Sequence, residues 1–186
     1  MAIYQFYLAV IPEKGMLEYF GEIPGKLDID FQKRTNDFLE KTNANEKDYV
    51  EKVMHKCWEL TKHYPDNIIA EIDKELDRAT WGNDNGSNNW KTETNEIDND
   101  AYLLTNVEFN EIREFTFRAD LRDRKMTFLR KMINLSKNNH FLLMDINGNL
   151  VNPNIKEVLR LIQKSNSFKV VENPLGFLKD LEDGKI

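Results

Sequence analysis

Hydrophobic and polar positions repeat with different periods along this chain, and each period predicts a type of element. Residues 3–11 are dense in aromatic and β-branched side chains, a pattern that is typical of a buried strand. Residues 13–30 contain three glycines and a proline, so we predict mostly loop there, with a short strand at 17–20. Apolar residues at helical spacing then predict three helices, which cover about 31–39, Asn45 to His63, and Ile68 to Leu76.

Alternating patterns dominate the second half of the chain. Apolar and charged residues alternate from Glu111 to Leu121, and this run predicts an antiparallel hairpin with residues 101–108. The dipeptide Asn147-Gly148 predicts a type I′ turn between two further strands, at 141–146 and 149–151. The remaining predicted elements are a helix at 124–137, a helix that begins at Asn152-Pro153, an edge strand at 168–171 and a short last helix after Asn173-Pro174.

The order of these elements predicts an α+β fold. We expect one antiparallel sheet with the helices packed mainly on one face, and a helical insert at about 31–80. With 186 residues, 40% of them hydrophobic, the chain is long enough for a single domain, 1–186, with a substantial core. No run approaches the roughly 20 apolar residues that span a bilayer, so a membrane protein is not expected. The single cysteine, Cys57, excludes an internal disulfide framework and favours a reducing cytoplasm as the compartment.

Residues 81–100 form the least regular segment of the chain. They contain six asparagines, five acidic residues and two tryptophans, with one lysine. This composition predicts an acidic surface loop, because the two tryptophans have no periodic place in a helix or strand. Exposed tryptophans flanked by carboxylates are typical of an interface with a protein partner. The predicted partner-binding residues are Trp81, Asp84, Trp90, Glu93, Glu96, Asp98 and Asp100.

Charge is distributed unevenly along the chain, which has a net charge of −6. Residues 65–115 carry a net charge of −9, whereas residues 116–164 carry +6. If these two regions pack side by side, their charges neutralise each other in part. If they face apart, the molecule has one acidic and one basic side, which would influence its choice of partner and its association rate.

One helical row offers possible metal ligands. Glu51, His55, Glu59 and His63 are spaced by four residues, which places them along one face of the second predicted helix. The two histidines lie about 12 Å apart at the rise of an α-helix, so one ion cannot bind both without other ligands. We therefore predict neither a metal site nor a cofactor. Neither a phosphate-binding loop nor a nucleophile elbow is present, and the sequence predicts no catalytic residues and no enzyme activity.

A block of cations offers an alternative to a pure binding protein. It consists of Arg118, Arg122, Arg124, Lys125, Arg130 and Lys131. Such a patch can track phosphates, so a small nucleic-acid-processing or phosphate-handling protein remains the alternative function. However, no aromatic residues interleave with these cations to stack on bases, and Asp120 and Asp123 within the block repel phosphate. We therefore favour pairing of this block with the acidic region over binding of nucleic acid.

The C-terminal third carries a family resemblance. The sequences are FRADLR at Phe117–Arg122, the following helix with Phe128 and Leu129, LLMDINGNLVNP at Leu142–Pro153, and SNSFKVVENPLGFL at Ser165–Leu178. This part of the chain resembles small bacterial immunity proteins of polymorphic-toxin systems. The resemblance implies a single-domain cytoplasmic protein that binds and neutralises a cognate secreted toxin, often a nuclease. An acidic surface around residues 66–114 would suit a basic toxin of that kind.

Overall fold

The computed structural model describes residues 3–27, 50–92 and 96–176. The helix predicted around 31–39, the start of the second predicted helix and the end of the last one lie outside the described residues. Within the described ranges the chain forms an antiparallel sheet with helices packed against it, which confirms the predicted α+β fold.

Within these described ranges the sheet has six strands in the order β2-β3-β4-β1-β5-β6, and every pairing among them is antiparallel. The strands are β1 (Gln5–Pro12), β2 (Ser87–Lys91), β3 (Asp100–Asn106), β4 (Glu111–Asp120), β5 (Phe141–Met144) and β6 (Leu150–Val151). The described helices are α1 (Glu13–Phe20), α2 (Val50–Thr61), α3 (Asp66–Ile72), α4 (Thr127–Asn138), α5 (Ile155–Lys164) and α6 (Asn166–Glu172).

The central strand β1 is buried on both of its faces. Phe6, Leu8 and Val10 point into a large core cluster, whereas Ala9 and Ile11 point into a smaller cluster on the opposite face. Because both faces are buried, the apolar residues at 3–11 form a continuous run and do not alternate with polar residues.

The helices divide between the two faces of the sheet. The large cluster takes most of its helical side chains from α3, α4, α5 and α6, together with Trp58 of α2, which matches the predicted packing mainly on one face. The smaller cluster joins Met16 of α1 and Met54 and Cys57 of α2 to the other face, at β1 and β5. Strands β2, β3 and β4 contribute no residue to this second cluster, and there the sheet carries charged side chains instead.

The predicted loop at 13–30 is wrong for its first eight residues, which form α1. Gly21 ends this helix in a left-handed conformation (φ 78°), and its N–H donates to the carbonyl of Leu17 at 2.9 Å. Gly15 lies inside the helix, where a Cβ atom would clash with the backbone carbonyl of Cys57 in α2. The glycines in this segment therefore do not indicate a loop. Gly21 ends the helix, and Gly15 allows close contact between α1 and α2.

The predicted loop at 81–100 is also wrong in part, because residues 87–91 form β2. One edge of β2 pairs with β3, and the other is covered by a preceding segment. The N–H of Lys91 donates to Asp77 O at 3.0 Å, and the N–H of Ala79 donates to Asn89 O at 2.9 Å. The side chain of Asn83 accepts from the N–H of Asn89 at 2.7 Å, so an asparagine that looked like a loop residue completes the strand edge.

Two local predictions in the C-terminal part also need correction. Residues 168–171 belong to α6 rather than to an edge strand, because Ser165 caps this helix by accepting from the N–H of Phe168 at 3.1 Å. The β5–β6 hairpin forms, but not with a type I′ turn, since that turn needs positive φ at both central residues. Here the turn spans Asp145 to Gly148, and only Gly148 of the predicted pair has positive φ (82°).

Candidate functional site

A network of charged side chains covers the face of the sheet that the large core leaves free. In β1, β3 and β4 every second residue points to this face, and the strand register brings Gln5 opposite Asp120 and Asp100 opposite Arg118. We call this group the polar network and define it as Gln5, Asp98, Asp100, Arg118, Asp120 and Arg122.

Asp100 occupies the middle of the polar network. It accepts hydrogen bonds from Arg118 Nε at 2.8 Å and from Gln5 Nε2 at 2.9 Å, and its side chain is 14% exposed. Burial raises the pKa of the Asp100 carboxyl above its usual value, and this effect outweighs the lowering by Arg118. Asp100 is therefore a structural partner of Arg118 rather than a residue that is free to contact another protein.

Asp120 has the opposite shift although it is buried more deeply. Its carboxylate accepts from the backbone N–H groups of Asp98 and Arg122, at 2.8 and 2.9 Å, and also from the Arg122 guanidinium. Burial alone would raise the pKa of Asp120, but these donors together hold it below its usual range. The Arg122 guanidinium in turn lies 4.7 Å from the centre of the Tyr4 ring, in a cation–π contact.

Three of the six cations of the basic block pair with carboxylates of the protein, whereas Arg124 and Lys125 are exposed. Arg118 binds Asp100, and Lys131 Nζ lies 3.0 Å from Glu75 Oε1, so both cations pair with carboxylates of the acidic region as predicted. Arg122 binds Asp120 within the block itself. The guanidinium of Arg130 donates to the backbone carbonyl of Lys125 at 3.2 Å. Arg118 and Arg122 are thus held by carboxylates rather than presented to a phosphate.

The predicted interface tryptophan Trp90 is buried, so that prediction is wrong. Its side chain is 1% exposed, since Trp90 lies opposite Ala101 in the β2–β3 register and points into the large core. Its indole N–H donates to Asp73 Oδ1 at 2.7 Å, and the Arg78 guanidinium lies 4.3 Å from its ring. Sequence reasoning missed the burial of Trp90 because it missed β2. Only when residues 87–91 are known to form a strand is Trp90 assigned to the face of the sheet that packs on the core.

The other predicted partner-binding residues fall into two groups. Trp81, Asp84 and Glu96 are exposed, and Trp81 retains 59% of its accessible surface. Asp98 and Asp100 belong to the polar network, and Asp98 also forms an ion pair with Lys91 at 3.0 Å, so neither is a free acidic residue. Glu93 lies outside the described residues. The structure therefore leaves only part of the predicted interface at the surface.

The histidines of the predicted metal row have separate surroundings. His55 Nε2 lies 3.3 Å from Glu114 Oε2 on β4. His63 packs edge-to-face against Trp58 and Phe141, and burial together with the charge of Lys14 lowers its pKa. Among the residues that the structure describes, no group of three or more His, Cys, Asp or Glu side chains is arranged to hold a metal ion.

An exposed apolar cluster at one end of the sheet was not predicted. Val107 and Phe109, in the turn between β3 and β4, are 71% and 57% exposed, and Tyr64 is 65% exposed. Tyr64 lies on the segment that borders the start of β4, because the carbonyl of its neighbour His63 accepts from the N–H of Ile112 at 2.8 Å. The available signal was the pair of large apolar residues in the sequence VEFN, where turn residues are usually small or polar.

We define the hairpin-end surface as Tyr64, Asp84, Val107, Glu108 and Phe109. Asp84 belongs to it because its loop packs on the same hairpin, where the N–H of Thr105 donates to Gly86 O at 2.9 Å. The surface thus combines three exposed apolar side chains with two exposed carboxylates. This composition is typical of a protein interface, with apolar anchors and a charged rim.

Comparison with known proteins gives no relative from which a function can be transferred. The chain matches no protein-family model, and it has no significant similarity to a curated protein or to a solved structure. None of the described helices has the length and apolar character needed to cross a membrane.

Proposed function

We propose that this protein is an immunity-type binding protein, which neutralises a cognate bacterial toxin by association and without catalysis. The observation that carries the proposal is the unequal use of its charges. Arg118 and Lys131 are neutralised by internal carboxylates. By contrast, Asp84, Glu96 and Glu108 are exposed and form no ion pair within the described residues. Around residues 81–86 and 106–111 the charge that remains available to a partner is therefore negative, whereas the exposed Arg124 and Lys125 follow the other end of β4.

Free negative charge suits a partner with a basic surface. Complementary charge raises the association rate and disfavours partners of the same sign. A toxin that cleaves nucleic acid has such a basic surface, since it must bind phosphates. The resemblance of the C-terminal third to immunity proteins supports the same function.

A phosphate-handling protein is the second candidate, and one observation favours it. The polar network joins Arg118 and Arg122 to Asp100, a carboxyl group with a raised pKa, as a catalytic site often does. However, each guanidinium already binds a carboxylate, which an anion would have to displace. Titration with inorganic phosphate, followed by NMR, distinguishes the candidates. We expect no saturable shift, and saturable binding that is lost in Arg118→Gln would support the second candidate instead.

Co-expression tests the proposed function. The proposal predicts a large toxin-like reading frame adjacent to the gene for this chain. The probe is the product of that reading frame, expressed in a bacterial host that has neither gene. We expect the host to die when it expresses this product alone and to survive when it also expresses our chain. Death despite soluble expression of our chain would contradict the proposal.

The same experiment separates binding from enzymatic inactivation. If the chain acts by association, the toxin isolated from surviving cells is bound to it in a complex. After denaturation of that complex, the toxin then has its unmodified mass and recovers its activity on refolding. A change in the mass of the toxin would indicate a covalent modification and would contradict a mechanism without catalysis.

A further inference from the structure

The hairpin-end surface exposes more apolar area than its position in the fold requires. Turn residues between two strands are normally small or polar, because they face water. Here Val107 and Phe109 are both largely exposed to solvent, and Tyr64 is exposed on the segment that borders the start of β4. Exposed apolar clusters of this kind on a folded protein commonly mark an interaction site.

The backbone beneath this surface is held in place by the neighbouring loop. The Gly86 carbonyl accepts from both the N–H and the hydroxyl of Thr105, at 2.9 and 3.0 Å. Gly86 has positive φ (85°), and a Cβ atom there would clash with the Thr105 carbonyl. Within the turn, Asn106 Oδ1 accepts from the N–H of Glu108 at 3.0 Å. Because these bonds fix the loop and the turn together, binding would lose little conformational entropy there.

The charge around the apolar cluster selects the chemistry of the partner. The segments 81–86 and 106–111, which the bond between Gly86 and Thr105 joins at this end of the sheet, contain three carboxylates, Asp84, Glu108 and Glu111, and no lysine or arginine. The segment with Tyr64 borders β4 and is of mixed charge, with Asp66, Lys62 and the nearby Lys14. Nucleic acids and anionic membranes carry negative charge and would be repelled. A second copy of this chain would bring the same carboxylates face to face. A basic protein surface with an apolar pocket is the occupant that complements both features.

We infer that the hairpin-end surface is the docking site for a basic protein partner, with Phe109 and Val107 as apolar anchors and Asp84 and Glu108 as the charged rim. This inference rests on the proposed function, since the toxin is the partner. It transfers the anchoring role that the sequence suggested for Trp90 to the turn between β3 and β4.

Affinity measurements with a matched pair of variants test this inference. The test variant is Val107→Ser with Phe109→Ser, and the control is Ile146→Ser, an exposed residue (45%) in the turn at the opposite end of the sheet. The probe is the purified product of the adjacent reading frame. We expect the test variant to weaken binding by about 30-fold or more, mainly through faster dissociation. The control should bind like the wild type.

Hydrogen exchange gives a readout that does not depend on a variant folding. In the complex of the wild-type chain, amides of residues 105–111 should gain protection, whereas those of the β5–β6 turn should not. If Val107→Ser with Phe109→Ser proves unstable, this footprint and the single variant Phe109→Ala decide the question.

The remaining outcomes separate this inference from the proposed function. A complex whose affinity is unchanged in the folded test variant, or whose footprint lies elsewhere, would overturn the docking site and leave the proposed function intact. Failure of the wild-type chain to bind the adjacent product at all would contradict the proposed function and the docking site with it. A wild-type dimer that the test variant converts to monomer would assign the surface to self-association and would also overturn the inference.

Discussion

Two tryptophans that look alike in the sequence have opposite environments, and this makes them a matched pair of test sites. Trp90 is buried in the large core with its indole bonded to Asp73, whereas Trp81 is 59% exposed. We predict that Trp90→Ala lowers the free energy of unfolding by about 3–5 kcal/mol, because it leaves a cavity in the core and removes the indole hydrogen bond to Asp73. Trp81→Ala should change it by less than about 0.5 kcal/mol. Urea denaturation of both variants checks this, and equal losses would contradict the burial of Trp90.

The lowered pKa of Asp120 leads to a prediction about how the free energy of unfolding depends on pH. Since its pKa is lowered in the folded protein, the ionised carboxylate contributes stability above its unfolded pKa near 3.8. That contribution is lost as the pH falls through the lower, folded pKa. Asp120→Asn should therefore lower the free energy of unfolding at pH 7, by about 2–4 kcal/mol, since it leaves Arg122 without its partner.

The pH dependence separates this effect from a general loss of packing. Between about pH 5 and pH 2, stability should fall less steeply in Asp120→Asn than in the wild type, because the variant has no carboxylate to protonate there. Glu22→Gln, at an exposed position, serves as the control and should keep the slope of the wild type. If the free energy of unfolding falls with the same slope below about pH 5 in Asp120→Asn and in the wild type, the charge of Asp120 does not stabilise the fold.

Among the elements, α1 depends on a glycine for its contact with α2. Alanine normally favours a helix over glycine, yet a Cβ at position 15 would clash with the Cys57 carbonyl. We predict that Gly15→Ala lowers the free energy of unfolding by about 1–3 kcal/mol. Gly25→Ala is the control, because no heavy atom lies within 4 Å of a Cβ there. Thermal denaturation of both variants checks this, and a Gly15→Ala variant as stable as Gly25→Ala would rule out the close contact.

The elements also show which parts of the fold the sequence could predict. β1 and β4 were predictable because burial on one or both faces sets their apolar pattern directly. β2 was not, since its asparagines pair through distant partners at 77–83 and 100–104, which a local pattern does not contain. Likewise α1 was missed because the tight contact of Gly15 with α2 involves a residue far away in the sequence.

At the scale of the whole molecule, the uneven charge of the sequence becomes internal pairing and a free acidic surface. The pairing was predictable, since Arg118 and Lys131 bind acids of the neighbouring region. The candidate interface was predictable only in part, because Trp81 and Asp84 are exposed whereas Trp90 and Asp100 belong to the fold. Val107 and Phe109 escaped prediction because their exposure depends on where the β3–β4 turn lies, not on their apolar character.

Free acidic charge leads to a prediction about association with the product of the adjacent reading frame. Replacing Asp84 by Asn and Glu108 by Gln should slow association, because these carboxylates attract a basic partner, and should change dissociation much less. The control neutralises two exposed acids elsewhere, with Glu22→Gln and Glu172→Gln, and so has the same net charge. An equal loss of rate in both variants would mean that net charge alone, and not the hairpin-end surface, steers the encounter.

The most direct test of the proposed binding function is the association rate of the wild-type chain with this product at increasing ionic strength, measured by stopped-flow fluorescence. Screening should weaken the attraction between an acidic chain and a basic toxin, so we predict a fall of about tenfold or more between roughly 0.02 and 0.5 M salt. An association rate that does not change over this range, or no association at any salt concentration, would contradict an immunity-type protein that uses its acidic surface to capture a toxin.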